Sequence, residues 1–151
     1  MATITREQAN KLENQAPGNW HFDWKYYVLW SEKTIYRSIE TKDGGELRAK
    51  LWYVENVEHH VNEYGCRWRT PAGHYHIEMD LTFWRPSSTP GVMVSSGFGH
   101  QRDMDGGKHP RKNYKDLCKM AESITDEDIL KIYSELCKKP NGDICEFVIG
   151  G

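Results

Sequence analysis

From His74 to Phe83 the chain alternates strictly, with Tyr75, Ile77, Met79, Leu81 and Phe83 apolar or aromatic and His74, His76, Glu78, Asp80 and Thr82 polar between them. Successive side chains of a strand leave opposite faces of its sheet, so the pattern predicts a strand that buries one face and presents the other. The same period runs from Trp20 to Trp30, where Trp20, Phe22, Trp24, Tyr26, Val28 and Trp30 alternate with His21, Asp23, Lys25 and Tyr27, and predicts a long strand there. Residues 33–41, rich in Thr, Ile and Tyr, predict a further strand, with a helix capped by Ser31 as the alternative. Asp43-Gly44 signals a hairpin turn into a strand over 46–54, which sets Leu47, Ala49, Leu51 and Tyr53 on one face and Arg48, Lys50 and Trp52 on the other.

Turn residues at Glu63-Tyr64-Gly65 and Pro71-Ala72-Gly73 bracket a short strand over 66–70. Another strand is expected over 92–98, followed by a loop over 99–110. Thr5 and Gln8 form a capping-box pair that opens a short helix before Pro17. Beyond the loop the period lengthens to that of a helix. Tyr114, Leu117, Cys118 and Ala121 mark one helix, and Ile129, Ile132, Tyr133, Leu136 and Cys137 mark a second, capped by Thr125. A closing strand is expected over 144–149. The sum is one α+β domain over 1–151, an antiparallel meander of about five to seven strands with two C-terminal helices on one face. Trp24, Leu51, Ile77, Leu81, Ile132 and Leu136 are the expected core.

Composition sharpens this reading. Six Trp, eight Tyr and four Phe in 151 residues supply large rings, which suit sheet packing better than a helical bundle. A formal net charge of −2 gives no long-range attraction to phosphate backbones, which argues against non-specific nucleic-acid binding. Cys66, Cys118, Cys137 and Cys145 include no Cys-x-x-Cys pair, so no structural zinc ribbon is expected. The first residues carry no apolar signal region, and no apolar run is long enough to cross a bilayer. A cytoplasmic protein with reduced thiols and no membrane contact is therefore expected.

The polar strand faces hold the candidate chemistry. His74 and His76 stand about 7 Å apart on one face of a strand, a spacing that lets two imidazoles converge on a metal ion, whereas Glu78 lies roughly 13 Å from His74. A third ligand would come from His59, His60, His100 or His109. The plainer account is cross-strand ion pairing of Glu78 or Asp80 with Arg48 or Lys50. A third account combines flat rings with donors and cations. Arg48, Lys50, Trp52, His74, His76, Glu78 and Trp84, joined by His100, Arg102 and Lys108 from the glycine-rich loop, would bind an anionic, nucleotide-like ligand. No phosphate loop, dinucleotide fingerprint or nucleophile elbow is present, so no catalytic residue and no cofactor is assigned.

The expected function is a small non-catalytic binding protein, of the inhibitor or ligand-sequestering kind found among phage and mobile-element accessory proteins. Its open sheet face would take a protein partner or an anionic small molecule, with a homodimer as a further option. The competing expectation is a metal-dependent hydrolase built on His74 and His76.

Overall fold

The computed structural model describes residues 4–40, 44–86, 89–90 and 93–137, without the side chains of 85, 93–102, 136 and 137. The chain begins with α1 (Arg6–Gln15), β1 (His21–Phe22), α2 (Trp24–Trp30) and β2 (Ile35–Glu40). It continues with β3 (Glu46–Val61), β4 (Arg67–Pro86), β5 (Met93–Asp103), α3 (Tyr114–Glu122) and α4 (Asp126–Cys137). The fold is α+β. The strands β2 to β5 form an antiparallel meander, and the two-residue β1 extends it beyond β2.

Among the described residues the sheet holds four full-length strands and the two-residue β1, and the expected strand list changes for two physical reasons. The first lies at Trp20–Trp30, which is not a strand. Only His21 and Phe22 pair with β2, and Asp23 then caps α2, its Oδ1 accepting from the Tyr26 N–H at 2.8 Å. Tyr27 and Leu29 also place large apolar side chains at the other parity, so the alternation did not mark one buried face. The helix ends at Ser31, which takes a left-handed conformation with φ 58°. The second reason lies at Pro71-Ala72-Gly73. These residues do not turn the chain, and β4 runs through them from Arg67 to Pro86. Between the pairs Glu55 with Tyr75 and Val57 with Pro71, the single residue Asn56 of β3 stands against three of β4, Ala72, Gly73 and His74. Gly73, at φ 82°, absorbs the extra length as a bulge. The strand expected from 92 runs on to Asp103, which shortens the expected loop. The expected closing strand lies outside the described residues.

One face of the sheet makes the core. Leu47, Ala49, Leu51 and Tyr53 of β3 and Ile77, Met79, Leu81 and Phe83 of β4 are all buried, together with Ile35 and Ile39 of β2. The helices cover this face with the stripes expected from their periods: Tyr114, Leu117, Cys118 and Ala121 from α3, and Ile129, Ile132 and Tyr133 from α4. Tyr133 meets Phe83 at a ring separation of 5.8 Å. The Tyr114 hydroxyl donates to Leu12 O of α1 at 2.7 Å, and Arg37 holds the start of α4 through Asp126 at 2.7 Å and Ile124 O at 3.1 Å. Leu51, Ile77, Leu81 and Ile132 are buried as expected, whereas Trp24 lies on α2 and is 38% exposed. The side chain of Leu136 is outside the described set.

Burial ends at Tyr53 in β3 and Ile77 in β4, yet the two strands continue as a hairpin to Val61 and Arg67. At about 3.3 Å per residue the unburied part of β3 alone is roughly 25 Å long, so the hairpin projects beyond the core. Val57, Val61, Tyr64 and Trp68 are exposed on it, and His60 stacks on Trp68 at 5.3 Å.

Candidate functional site

The second face of the sheet is polar. In the β3–β4 register Arg48 stands opposite Thr82, Lys50 opposite Asp80, Trp52 opposite Glu78 and Val54 opposite His76. These positions and His74 are half-buried, so the face is less open than alternation alone suggests. Two elements narrow it: α2 lies over its Lys50–Trp52 end, and the segment after β5 closes on its His74 end.

At the His74 end the organising residue is Asn56, which falls inside the bulge between the Glu55 and Val57 pairs. Its side-chain nitrogen donates to His74 Nδ1 at 2.5 Å and to Gly107 O at 3.2 Å, and its oxygen accepts from His76 Nδ1. The other His76 nitrogen, Nε2, faces Glu78 Oε1 at 2.8 Å. The result is one hydrogen-bonded chain, His74–Asn56–His76–Glu78, ending in a buried Glu78 Oε2 that has no hydrogen-bond partner among the described residues. Such an atom is costly to leave bare, and it marks where an incoming donor would gain most.

The segment following β5 is a tight loop. Asp103 Oδ1 accepts from the N–H groups of Asp105 and Gly106, and Asp105 accepts from Gly107 and Ile77 N–H and from the His109 ring at 2.6 Å. A Cβ on Gly107 would stand 2.8 Å from the His109 ring and 2.9 Å from the Asp105 carboxylate, so a larger residue there would have to displace one of these side chains. His109 N–H and O then pair with Tyr75, closing the loop back on the edge of β4.

At the opposite end the cations are already partnered. Lys50 Nζ lies 3.8 Å from Asp23 Oδ2 and 5.1 Å from the centre of the Tyr26 ring. Arg48 is 2.9 Å from Glu46 and stacks over Tyr36 at 4.6 Å. The Tyr26 ring lies 6.4 Å from both Trp52 and Trp30, so aromatic surface runs from the sheet out along α2. Desolvation raises the Tyr26 phenol above its ordinary value, and the charges of Glu32, Asp80 and Asp23 add to this. That end of the face is therefore aromatic, with carboxylates and the cations that pair with them close around Tyr26.

The structure brings Arg48, Lys50, Trp52, His74, His76 and Glu78 onto one face, with the half-buried Trp84 farther along it, opposite Glu46. Lys108 is exposed in the groove beside His74 and Asn56. The side chains of His100 and Arg102 are outside the described set. Of the other histidines weighed as ligands, His60 bonds Thr70 at 2.7 Å and His109 bonds Asp105. Among the described residues no three His, Cys, Asp or Glu side chains come together as a metal site. Sequence periodicity missed Asn56, Asp105 and the whole of α2. The one available signal was Asp23 followed by a Tyr26 N–H it could cap.

α2 is the anomaly of the surface. None of its residues is buried, and Trp24, Val28, Leu29 and Trp30 are all exposed, Leu29 at 71% and Trp30 at 65%. No protein-family model, curated protein or solved structure matches the chain.

Proposed function

We propose that the protein is a small non-catalytic binding protein that docks a protein partner through α2 and the aromatic surface beside it. The observation that carries this reading is the exposure of Trp24, Val28, Leu29 and Trp30 on one helix of seven residues. A helix that short has little stability of its own, and large apolar side chains exposed on it lose solvent contact only when another surface covers them. Trp30, Tyr26 and Trp52 continue the patch onto the sheet, and large rings of this kind are the usual anchors of protein interfaces.

Two facts favour a protein over an anionic, nucleotide-like ligand. Arg48 and Lys50 are already engaged by Glu46 and Asp23, and the charges of Glu32, Asp80 and Asp23 already raise the Tyr26 phenol rather than favour a further anion beside it. An inhibitor that works by occupying its partner's surface needs only such a patch and no cofactor. The metal-hydrolase alternative has less support, since a metal at His76 would displace Asn56 or Glu78 from its ring nitrogens.

A photo-crosslinking amino acid at position 29 tests the reading, with the exposed position 131 on α4 as control. In extract from the source cells, position 29 should give one saturable crosslinked species and position 131 none. With the crosslinking residue moved to position 28, Leu29→Ser with Trp30→Ser should abolish the crosslink and leave the melting temperature within about 2 °C, as exposed substitutions do. Equal labelling from positions 29 and 131, or labelling that survives the double substitution, would refute the reading.

A further inference from the structure

On the opposite side of α2 from the polar face, a cleft of about 240 Å³ opens between the end of α2 and the start of α3. The Tyr27 and Tyr114 rings and Leu117 supply apolar wall, and Lys33 and Lys112 supply cations. Tyr53, only 5% exposed, also lines the cleft. Its hydroxyl lies beside the backbone of Asn113, the N-cap of α3, and is buried with no hydrogen-bond acceptor among the described residues. The neighbouring Asn113 N–H bears on the acceptor side of that oxygen, so what the hydroxyl lacks is an acceptor for its own proton.

That proton is firmly held, because burial and then the charges of Asp116 and Asp105 push the Tyr53 phenol up to about 12. The cleft therefore gathers a neutral O–H donor without an acceptor, the N-terminus of a nine-residue helix and two ammonium groups. All three favour an acceptor carrying negative charge. The net charge of the lining limits how much. Glu32 pairs with Lys112 at 2.5 Å, so one cation is left in excess, and Asp116 in the first turn of α3 opposes a second negative charge. Size limits the ligand as well, since drug-sized sites begin at roughly 300 Å³.

We infer that this cleft is a binding site for a small monocarboxylate with a flat apolar body. The carboxylate accepts from the Tyr53 hydroxyl at the start of α3, and the body lies against Tyr27, Tyr114 and Leu117. The site is separate from the α2 surface that docks a partner, and its test needs no partner.

Benzoate is a suitable probe, with inorganic phosphate as the comparison, titrated into the full chain and followed by backbone amide NMR. Benzoate should shift the amides of Ser31, Asn113 and Tyr114 saturably, and phosphate should do so far more weakly. Tyr53→Phe, which keeps the ring, should weaken benzoate about tenfold, or ~1.4 kcal/mol. Lys33→Met, at an exposed position, is the second variant and should weaken benzoate and flatten its salt dependence. The proposal is overturned by shifts that do not saturate, by equal binding of phosphate, or by wild-type affinity in both variants. Any of these would leave an adventitious anion site only.

Discussion

His76 Nε2 stands 2.8 Å from Glu78 Oε1 on the polar face of β4, and the two side chains are only 12% and 15% exposed. Same-face neighbours along a strand stand about 7 Å apart, and Asn56, bonded to the other ring nitrogen, holds the imidazole turned toward Glu78. The pair is consequently part of the folded structure as well as of its surface. His76→Ala should cost about 1–3 kcal/mol in urea unfolding, because Glu78 would then be half-buried with neither oxygen partnered among the described residues. Replacing both residues, as His76→Leu with Glu78→Met, should cost less than the single change. A loss under about 0.5 kcal/mol for His76→Ala, the size of an ordinary surface effect, would show that the contact does not persist in solution.

Ile77 and Leu29 give the opposite pairing of sequence and environment. Both are aliphatic residues in alternating stretches, yet Ile77 is 1% exposed and Leu29 is 71% exposed. Ile77→Ala should cost about 2–5 kcal/mol through the cavity it leaves. Leu29→Ala should stay within about 0.5 kcal/mol of wild type. Parallel urea titrations decide this, and a large loss for Leu29→Ala would mean that α2 packs inward.

This contrast explains what was legible in the sequence. Alternation located β4 and its two faces because Ile77, Met79, Leu81 and Phe83 are apolar where their neighbours are charged. The helix stripes of α3 and α4 were legible for the same reason. At Trp24–Trp30 hydrophobic residues occupy both parities, and only the Asp23 cap and its position over Lys50 decide for a helix. Pro71-Ala72-Gly73 reads as a turn locally, but the paired strand β3 carries the chain through it as a bulge. The polar face was recognised as a set of residues, whereas its connection through Asn56 was not, since that contact joins strands across the bulge and leaves no periodic trace.

The thiols divide by environment. Cys66 is exposed in the hairpin turn, and Cys118 is buried on α3. Burial pushes the Cys118 thiol up, and the Glu122 charge adds to this against an opposing hydrogen bond with Tyr114. Only the thiolate reacts, so a maleimide or disulfide reagent should label Cys66 promptly and Cys118 only after unfolding. Peptide mapping after a brief pulse checks the order. Both are free thiols, so reductant should leave the melting temperature unchanged unless the cysteines at 137 or 145 are linked.

Asp105 makes the closure of the polar face sensitive to acid. Its carboxylate accepts from Ile77 N–H at 3.2 Å, Gly107 N–H at 3.0 Å and the His109 ring at 2.6 Å. Partial desolvation pushes the carboxyl up, but the hydrogen bonds from His109, Gly107 and Ile77 outweigh it and hold the group below its ordinary value of 3.8. A carboxyl depressed in the folded state stabilises that state above its ordinary value, and the contribution is lost as pH falls through the folded value. The loop should accordingly stay latched at neutral pH and loosen in strong acid. Hydrogen-exchange protection at Gly107 and His109, corrected for intrinsic rates, should fall below about pH 3.8 before protection is lost in the buried parts of β3 and β4. Asp105→Asn keeps the shape but replaces one acceptor oxygen with a donor, so it should expose both amides already at neutral pH and remove the acid-dependent step. Unchanged protection in that variant would mean that the pairing of His109 with Tyr75 holds the loop by itself, without the carboxylate.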